Sequence, residues 1–161
     1  YVFLKSTRIR EIFNKNNINI PLLSQHINKD NIFFKLDFQT KEECLDFMIK
    51  KLEKTDVVKK GFRKSVYKRE SIGSTVLENG VAIPHGIPTE VNEIGLVILT
   101  LKRPIKWSNN WVDMIVLMAV PEDKTIEFES MILELYEMIS NTDIIEEIKK
   151  IKSIDECSFE K

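Results

Sequence analysis

Two cysteines and two histidines are all that 161 residues offer of those types. Cys44 and Cys157 lie far apart without metal-ligand spacing, so they read as reduced packing thiols of a cytoplasmic protein rather than a disulfide framework. No further histidine, cysteine or acidic cluster completes a ligand set around His26 or His85, so neither a metal nor a cofactor is expected. No apolar run approaches the ~20 residues of a membrane helix, and no signal peptide opens the chain. An excess of one charge is missing too: 24 basic residues face 25 acidic ones, for a net charge of −1. Lysine and arginine look scattered along the sequence, so no direct contact with nucleic acid and no membrane insertion is expected. Internal repeats and low-complexity stretches are absent.

What is there is 43% hydrophobic, at a length that buries one sizeable core. The chain opens on Tyr1 and ends as a further helix begins, so it is expected to be a piece of a longer protein. Residues 1–25 hold a helix-like stretch, Thr7 to Lys15, then an Asn-rich stretch and Pro21, and are expected to be a linker or the tail of a preceding domain. Residues 31–36 have the content of a first strand. Thr40 and Glu43 form a capping box ahead of Leu45, Met48, Ile49 and Leu52, which recur at helical spacing. Asp56 is placed to cap a next helix that buries Val58, Phe62 and Val66.

The middle of the chain is extended in character. Val76 to Ile83 turns at Asn79-Gly80. Ile94–Leu101 and Val112–Val120 are nearly continuous apolar runs of the kind buried on both faces of a sheet, with Arg103-Pro104 expected as the break between them. Helical period returns with Phe128, Met131, Ile132, Leu135 and Ile139, leaving Glu127, Glu134 and Glu137 outward, and again from Thr142 to Ile151. Helices, then strands, then helices give an α/β sandwich with helices on both faces of a central sheet.

Chemistry concentrates at Pro84-His85-Gly86. A neutral imidazole is a good nucleophile near neutral pH, and its attack on phosphorus leaves a phosphoramidate of high transfer potential. Pro84 fixes its own φ and biases Ile83 towards an extended conformation, which aims the ring. Gly86 lets its amide close on an oxygen, Arg69 offers a donor fork suited to phosphate, and Ser71, Ser74 and Thr75 add neutral hydroxyls. The plain alternative is a surface turn with an ordinary histidine, and Arg69 as a partner of a helix dipole. His26 reads as a solvent-facing bystander, and Trp107 and Trp111 as rim-of-core residues.

Arg69-Glu70, Ser74-Thr75 and Asn79-Gly80-Val81-Ala82-Ile83-Pro84-His85-Gly86 together resemble the active-site region of EIIA domains of the fructose/mannitol class. These belong to the bacterial phosphoenolpyruvate–sugar phosphotransferase system (PTS). The resemblance runs from about residue 31 to the C-terminus and sets an expected type-2 EIIA domain at 26–161. It implies a three-layer α/β sandwich with a mixed central sheet. It also implies that His85 accepts phosphate from the phosphocarrier protein HPr and passes it to a cysteine of EIIB. Arg69 would stabilise the phosphate, with Ser74, Thr75 and Gly86 around it.

One departure stands out: mannitol-type domains carry a second histidine where Phe128 stands here. With Lys102-Arg103-Pro104-Ile105-Lys106-Trp107 and the Phe128–Ile139 helix, the chain is most similar to the C-terminal EIIA-like modules of PTS-regulation-domain transcriptional regulators and antiterminators. There an EIIB-like domain and other domains of the same regulator would be partners. Three readings stay open: a regulatory phosphoacceptor module, a catalytic EIIA relay, and an interaction domain in which His85 no longer turns over.

Overall fold

The computed structural model describes residues 7–157. Helix α1 (Thr7–Lys15) and helix α2 (Pro21–His26) lead to strand β1 (Ile32–Leu36), helix α3 (Lys41–Lys54) and helix α4 (Phe62–Ile72). A two-residue strand β2 (Val81–Ala82) precedes the long hairpin of β3 (Gly95–Trp107) and β4 (Asn110–Ala119). Helices α5 (Thr125–Ser140) and α6 (Thr142–Lys150) follow.

The sheet runs in the order β1-β3-β4-β2. β1 lies parallel to β3, β2 parallel to β4, and β3 antiparallel to β4, so the sheet is mixed. Alternation along the central strands sends side chains to two cores. Leu96, Ile98, Met114, Val116 and Met118 pack with α1, α2, α5 and α6. Val97, Leu99, Ile115, Leu117 and Ala119 pack with α3 and α4. Both faces are covered, which explains the unbroken apolar runs, and the expected three-layer α/β sandwich is what forms.

Local expectations fare unevenly. The capping box is made, with the Glu43 amide donating to Thr40 Oγ1 at 3.1 Å, and Leu45, Met48, Ile49 and Leu52 are buried. Asp56 does not cap α4. That helix starts behind Gly61, while Val58 bridges to Val91 in extended form. Arg103-Pro104 does not end a strand either. β3 runs through it, and a register irregularity between Thr100 and Ile105 absorbs the proline's missing donor. Trp107 is fully buried rather than at the rim, whereas Trp111 is 61% exposed.

Over its described residues the lead-in packs on the α5/α6 layer. Ile9, Ile12, Phe13, Ile20 and Leu23 are buried in the α5/α6 core, and Lys15 pairs with Glu147 of α6 at 2.8 Å. Glu134 does not simply face water: its carboxylate accepts the first-turn amides of Leu22 and Leu23, capping α2 from outside. Beyond 157, the helix expected at the end of the chain lies outside the described residues.

Candidate phosphoryl site

The site begins at the end of α4. Gly73 leaves the helix in extended form, and the two side chains of Arg69-Glu70 fasten the loop that follows from opposite sides. Arg69 Nη1 donates to the Gly73 carbonyl at 3.0 Å near the surface. Glu70 turns inward and is 5% exposed. Its two oxygens accept the Thr75 hydroxyl and, at 3.0 Å, the Trp107 indole N–H. A buried carboxylate is tolerated here because both oxygens are satisfied.

From Thr75 the chain doubles back on itself. Leu77 N donates to Val81 O at 2.8 Å and Ile83 N to Thr75 O at 3.1 Å. The turn between them sits at Asn79, whose φ of 58° is one that asparagine tolerates. The turn is bolted down: Asn79 Nδ2 donates to Ile139 O at 2.7 Å. Lys149 Nζ reaches Asn79 O at 2.5 Å and Asp113 Oδ1 at 2.6 Å. Thus the turn that leads to β2 and the His85 loop is anchored to α5, α6 and β4.

Pro84 O accepts the Met118 amide at 3.1 Å, which lays the loop along the end of β4. His85 is half-buried. Its Nδ1 lies 3.1 Å from the Ile83 carbonyl, and a carbonyl only accepts, so Nδ1 carries the proton. The Nε2 lone pair is therefore the one left to react. Beyond the ring, Ser65 of α4 accepts the Ile87 amide at 2.9 Å and donates to Phe62 O at 2.7 Å. Gly86 is squeezed against the same helix: a Cβ there would stand 2.6 Å from Phe62 Cε1 and 2.6 Å from Ser65 Oγ. Its lack of a side chain serves this close approach.

His85 opens into a cleft of about 410 Å³ with two unlike walls. Arg69, Ser74 and Thr75, with Val76, Leu77 and Ile83, form one, and Phe128, Ile132 and Tyr136 of α5 the other. Of the expected site residues, Arg69, Ser74, Thr75 and His85 thus come together. Thr75 arrives with its hydroxyl proton directed to Glu70, so that proton is not offered to the cleft as expected. Ser74 Oγ accepts the Val76 amide at 3.2 Å and keeps its own proton. Ser71 bonds back to Lys68 O at 2.6 Å and does not line the cleft. His26 is half-buried rather than solvent-facing, and burial pushes its pKa below the ordinary value. Among the described residues no group of three or more His, Cys, Asp or Glu side chains could hold a metal ion.

Sequence reasoning overlooked Glu70, Ser65 and Tyr136. Glu70 stood inside the Arg-Glu motif and could have been weighed as a buried acceptor. Ser65 and Tyr136 gave no signal, because their positions depend on how α4 and α5 meet the loop.

A family model described as "Phosphoenolpyruvate-dependent sugar phosphotransferase system, EIIA 2" matches residues 25–158. The "Probable licABCH operon regulator" of Bacillus subtilis (strain 168) is 26% identical over 135 residues, which is 84% of this chain and 21% of that protein. The chain therefore spans about a fifth of that relative's length. The "Mannitol-specific phosphotransferase enzyme IIA component" of Staphylococcus aureus (strain N315) is 27% identical over 135 residues, 82% of this chain and 94% of that one. In fold, the chain is similar to the solved complex of enzyme IIAMTL and phosphorylated enzyme IIBMTL from Escherichia coli. The TM-score is 0.71 at 22% identity, over 81% of this chain and 92% of the other.

Proposed function

Because this chain belongs to the EIIA 2 family of the phosphoenolpyruvate-dependent sugar phosphotransferase system, we propose that it is a phosphoryl-accepting domain modified on His85 by HPr. We read it as the regulatory module of a cytoplasmic transcriptional regulator of sugar-utilisation genes. The observation that carries the acceptor role is the His85 Nδ1 contact to Ile83 O at 3.1 Å, which leaves Nε2 as the nucleophile beside Arg69.

In this reading the Nε2 lone pair attacks phosphorus. The Nε2–P bond forms as the donor's own P–N bond breaks, and the departing nitrogen keeps the bonding pair. A positive charge then rests on the ring, stabilised by the Nδ1–H bond to Ile83. Arg69 is held by a neutral carbonyl and exchanges it for a phosphoryl oxygen, since charge-assisted bonds are roughly twice as strong. Ser74 adds a neutral donor. Thr75 and Gly86 act on the phosphate through shape: the first fixes the wall, the second lets the loop close on α4.

Two observations favour a regulatory role. A relative named as an operon regulator contains a stretch like this chain as a fifth of its length, and an apolar Phe128 faces the cleft. A dianionic group added there changes the surface that another domain of the same regulator reads. The second reading is a catalytic EIIA that relays phosphate to EIIB. Similarity over nearly the whole mannitol component favours it. An EIIB or EIIB-like domain is a partner under both.

Incubation with phosphoenolpyruvate, Enzyme I and HPr tests the acceptor role. Acid-labile, base-stable label is expected on the wild type and on His26→Ala, and none on His85→Ala. An unlabelled wild type would leave a domain in which His85 no longer turns over. In the intact gene product, an upstream helix-turn-helix with regulation domains separates the regulator from a transporter, whose mark would be a membrane EIIC.

A further inference from the structure

A phosphoryl group on Nε2 of His85 presents three oxygens, and the two walls of the cleft differ in what they can donate. On the α4 side, the Arg69 guanidinium and the Ser74 hydroxyl are available, while the Thr75 proton goes to Glu70. On the α5 side, Phe128 and Ile132 carry no donor. Tyr136 is the exception on that wall. It lines the same cleft, is 46% exposed, and its hydroxyl has no hydrogen-bond partner among the described residues.

Helix geometry aims it. Phe128, Ile132 and Tyr136 are spaced by four, so they form one stripe with about 6 Å of rise per step. Long side chains on a helix lean toward its N-terminus and cover the turn before their own Cα. That lean sets the Tyr136 phenol over the turn of Ile132, on the wall of the cleft into which His85 opens. Tyr136 also borders a second hollow, shared with Leu77 and Ile139.

We propose that Tyr136 is a phosphoryl-contacting residue, whose hydroxyl donates a hydrogen bond to the phosphoryl group on His85 and supplies from α5 the donor that Phe128 lacks. The inference rests on the acceptor role of His85. No bond to phosphorus changes and Tyr136 keeps its proton.

The test is the lifetime of the label. Wild type and Tyr136→Phe are phosphorylated through phosphoenolpyruvate, Enzyme I and HPr, freed of the donors, and followed at pH 7 to 8. Phenylalanine keeps the ring and its packing, so thermal unfolding should be unchanged. Loss of label on the order of tenfold faster is expected, the worth of one hydrogen bond to a charged group. Equal lifetimes in the two proteins overturn the role of Tyr136 while leaving His85 as the acceptor. A wild type that never takes label overturns the acceptor role, and this inference with it.

Discussion

The two helical layers of this domain are built to different rules, and His85 sits where they meet. Residues 41–72, which form α3 and α4, carry ten basic residues against six acidic. Residues 7–26 and 122–150, which form α1, α2, α5 and α6, carry six against ten. Charges that look scattered along the sequence are thus sorted by layer once the chain folds. The walls of the cleft follow the same division. The wall on the α4 side carries Arg69, Ser74 and Thr75 beside Val76, Leu77 and Ile83, and behind it buried Glu70 accepts from Thr75 and Trp107. The α5 wall is apolar except for one phenol. The difference teaches that the polar side chains lining the cleft come from the α4 side, while α5 presents an apolar face with a single hydroxyl.

The largest effect should come from breaking the polar wall. Glu70→Ala leaves the Thr75 hydroxyl and the Trp107 indole N–H without an acceptor in a buried place. We expect a loss of roughly 3 kcal/mol in urea unfolding, together with slower labelling of His85. Unchanged stability would mean that the network does not hold this wall. Gly86→Ala comes next, because its Cβ would meet Phe62 and Ser65 at 2.6 Å. Overpacking of that kind costs about 2 kcal/mol. A variant as stable as wild type would show that the loop is not pressed on α4.

These two positions also show what the sequence could and could not tell. Period and composition sufficed for the layers, because Leu45, Met48, Ile49 and Leu52 or Met131, Leu135 and Ile139 report their burial through spacing alone. Boundaries set by tertiary pairing did not. β3 passes through Arg103-Pro104 because β4 pairs across it, and Asp56 stands in a connection that Val58 ties to Val91. The site divides likewise. Arg69 and His85, singled out for their chemistry, do line one cleft. The reason for Gly86 was not legible, since its neighbours come from α4, and neither was the direction of the Thr75 proton, which depends on a carboxylate five residues earlier in the chain. The burial of Ile9, Ile12 and Phe13 in the stretch expected to be a linker or the tail of a preceding domain was not legible either, because the asparagines around them mask the stripe.

Altering the apolar wall should have a smaller and opposite effect. Phe128→His places an imidazole in the cleft, and transfer from phospho-His85 to an EIIB domain is expected to rise a few-fold, as one added general acid or hydrogen-bond donor can bring about. An unchanged rate would make the departure at Phe128 incidental. The smallest effect concerns the clamp between α3 and α4. Arg63 bonds Asp46 at 2.7 Å and Glu53 at 2.8 Å. Hydrogen bonding from Lys50, with help from Arg63, holds the Asp46 carboxyl below the usual carboxylate range. A depressed folded pKa means that the stabilisation is fully present above the unfolded pKa and is lost as pH falls through the folded one. Asp46→Asn should therefore lower stability slightly at neutral pH and flatten the acid limb, with the two proteins converging at low pH. Added salt should shrink the difference, because the pair is partly exposed. An unaltered acid limb would place that sensitivity elsewhere, for example at Glu147, whose carboxyl is lowered by Lys15.

The central claim is that Ile83 holds the Nδ1 proton so that Nε2 of His85 takes the phosphoryl group. Nitrogen-15 NMR of the imidazole, before and after treatment with phosphoenolpyruvate, Enzyme I and HPr, reads both halves at once. The account predicts a proton on Nδ1 in the unmodified protein and phosphorus coupled to Nε2 in the modified one. A proton on Nε2 before modification, or phosphorus on Nδ1 after it, would contradict the account.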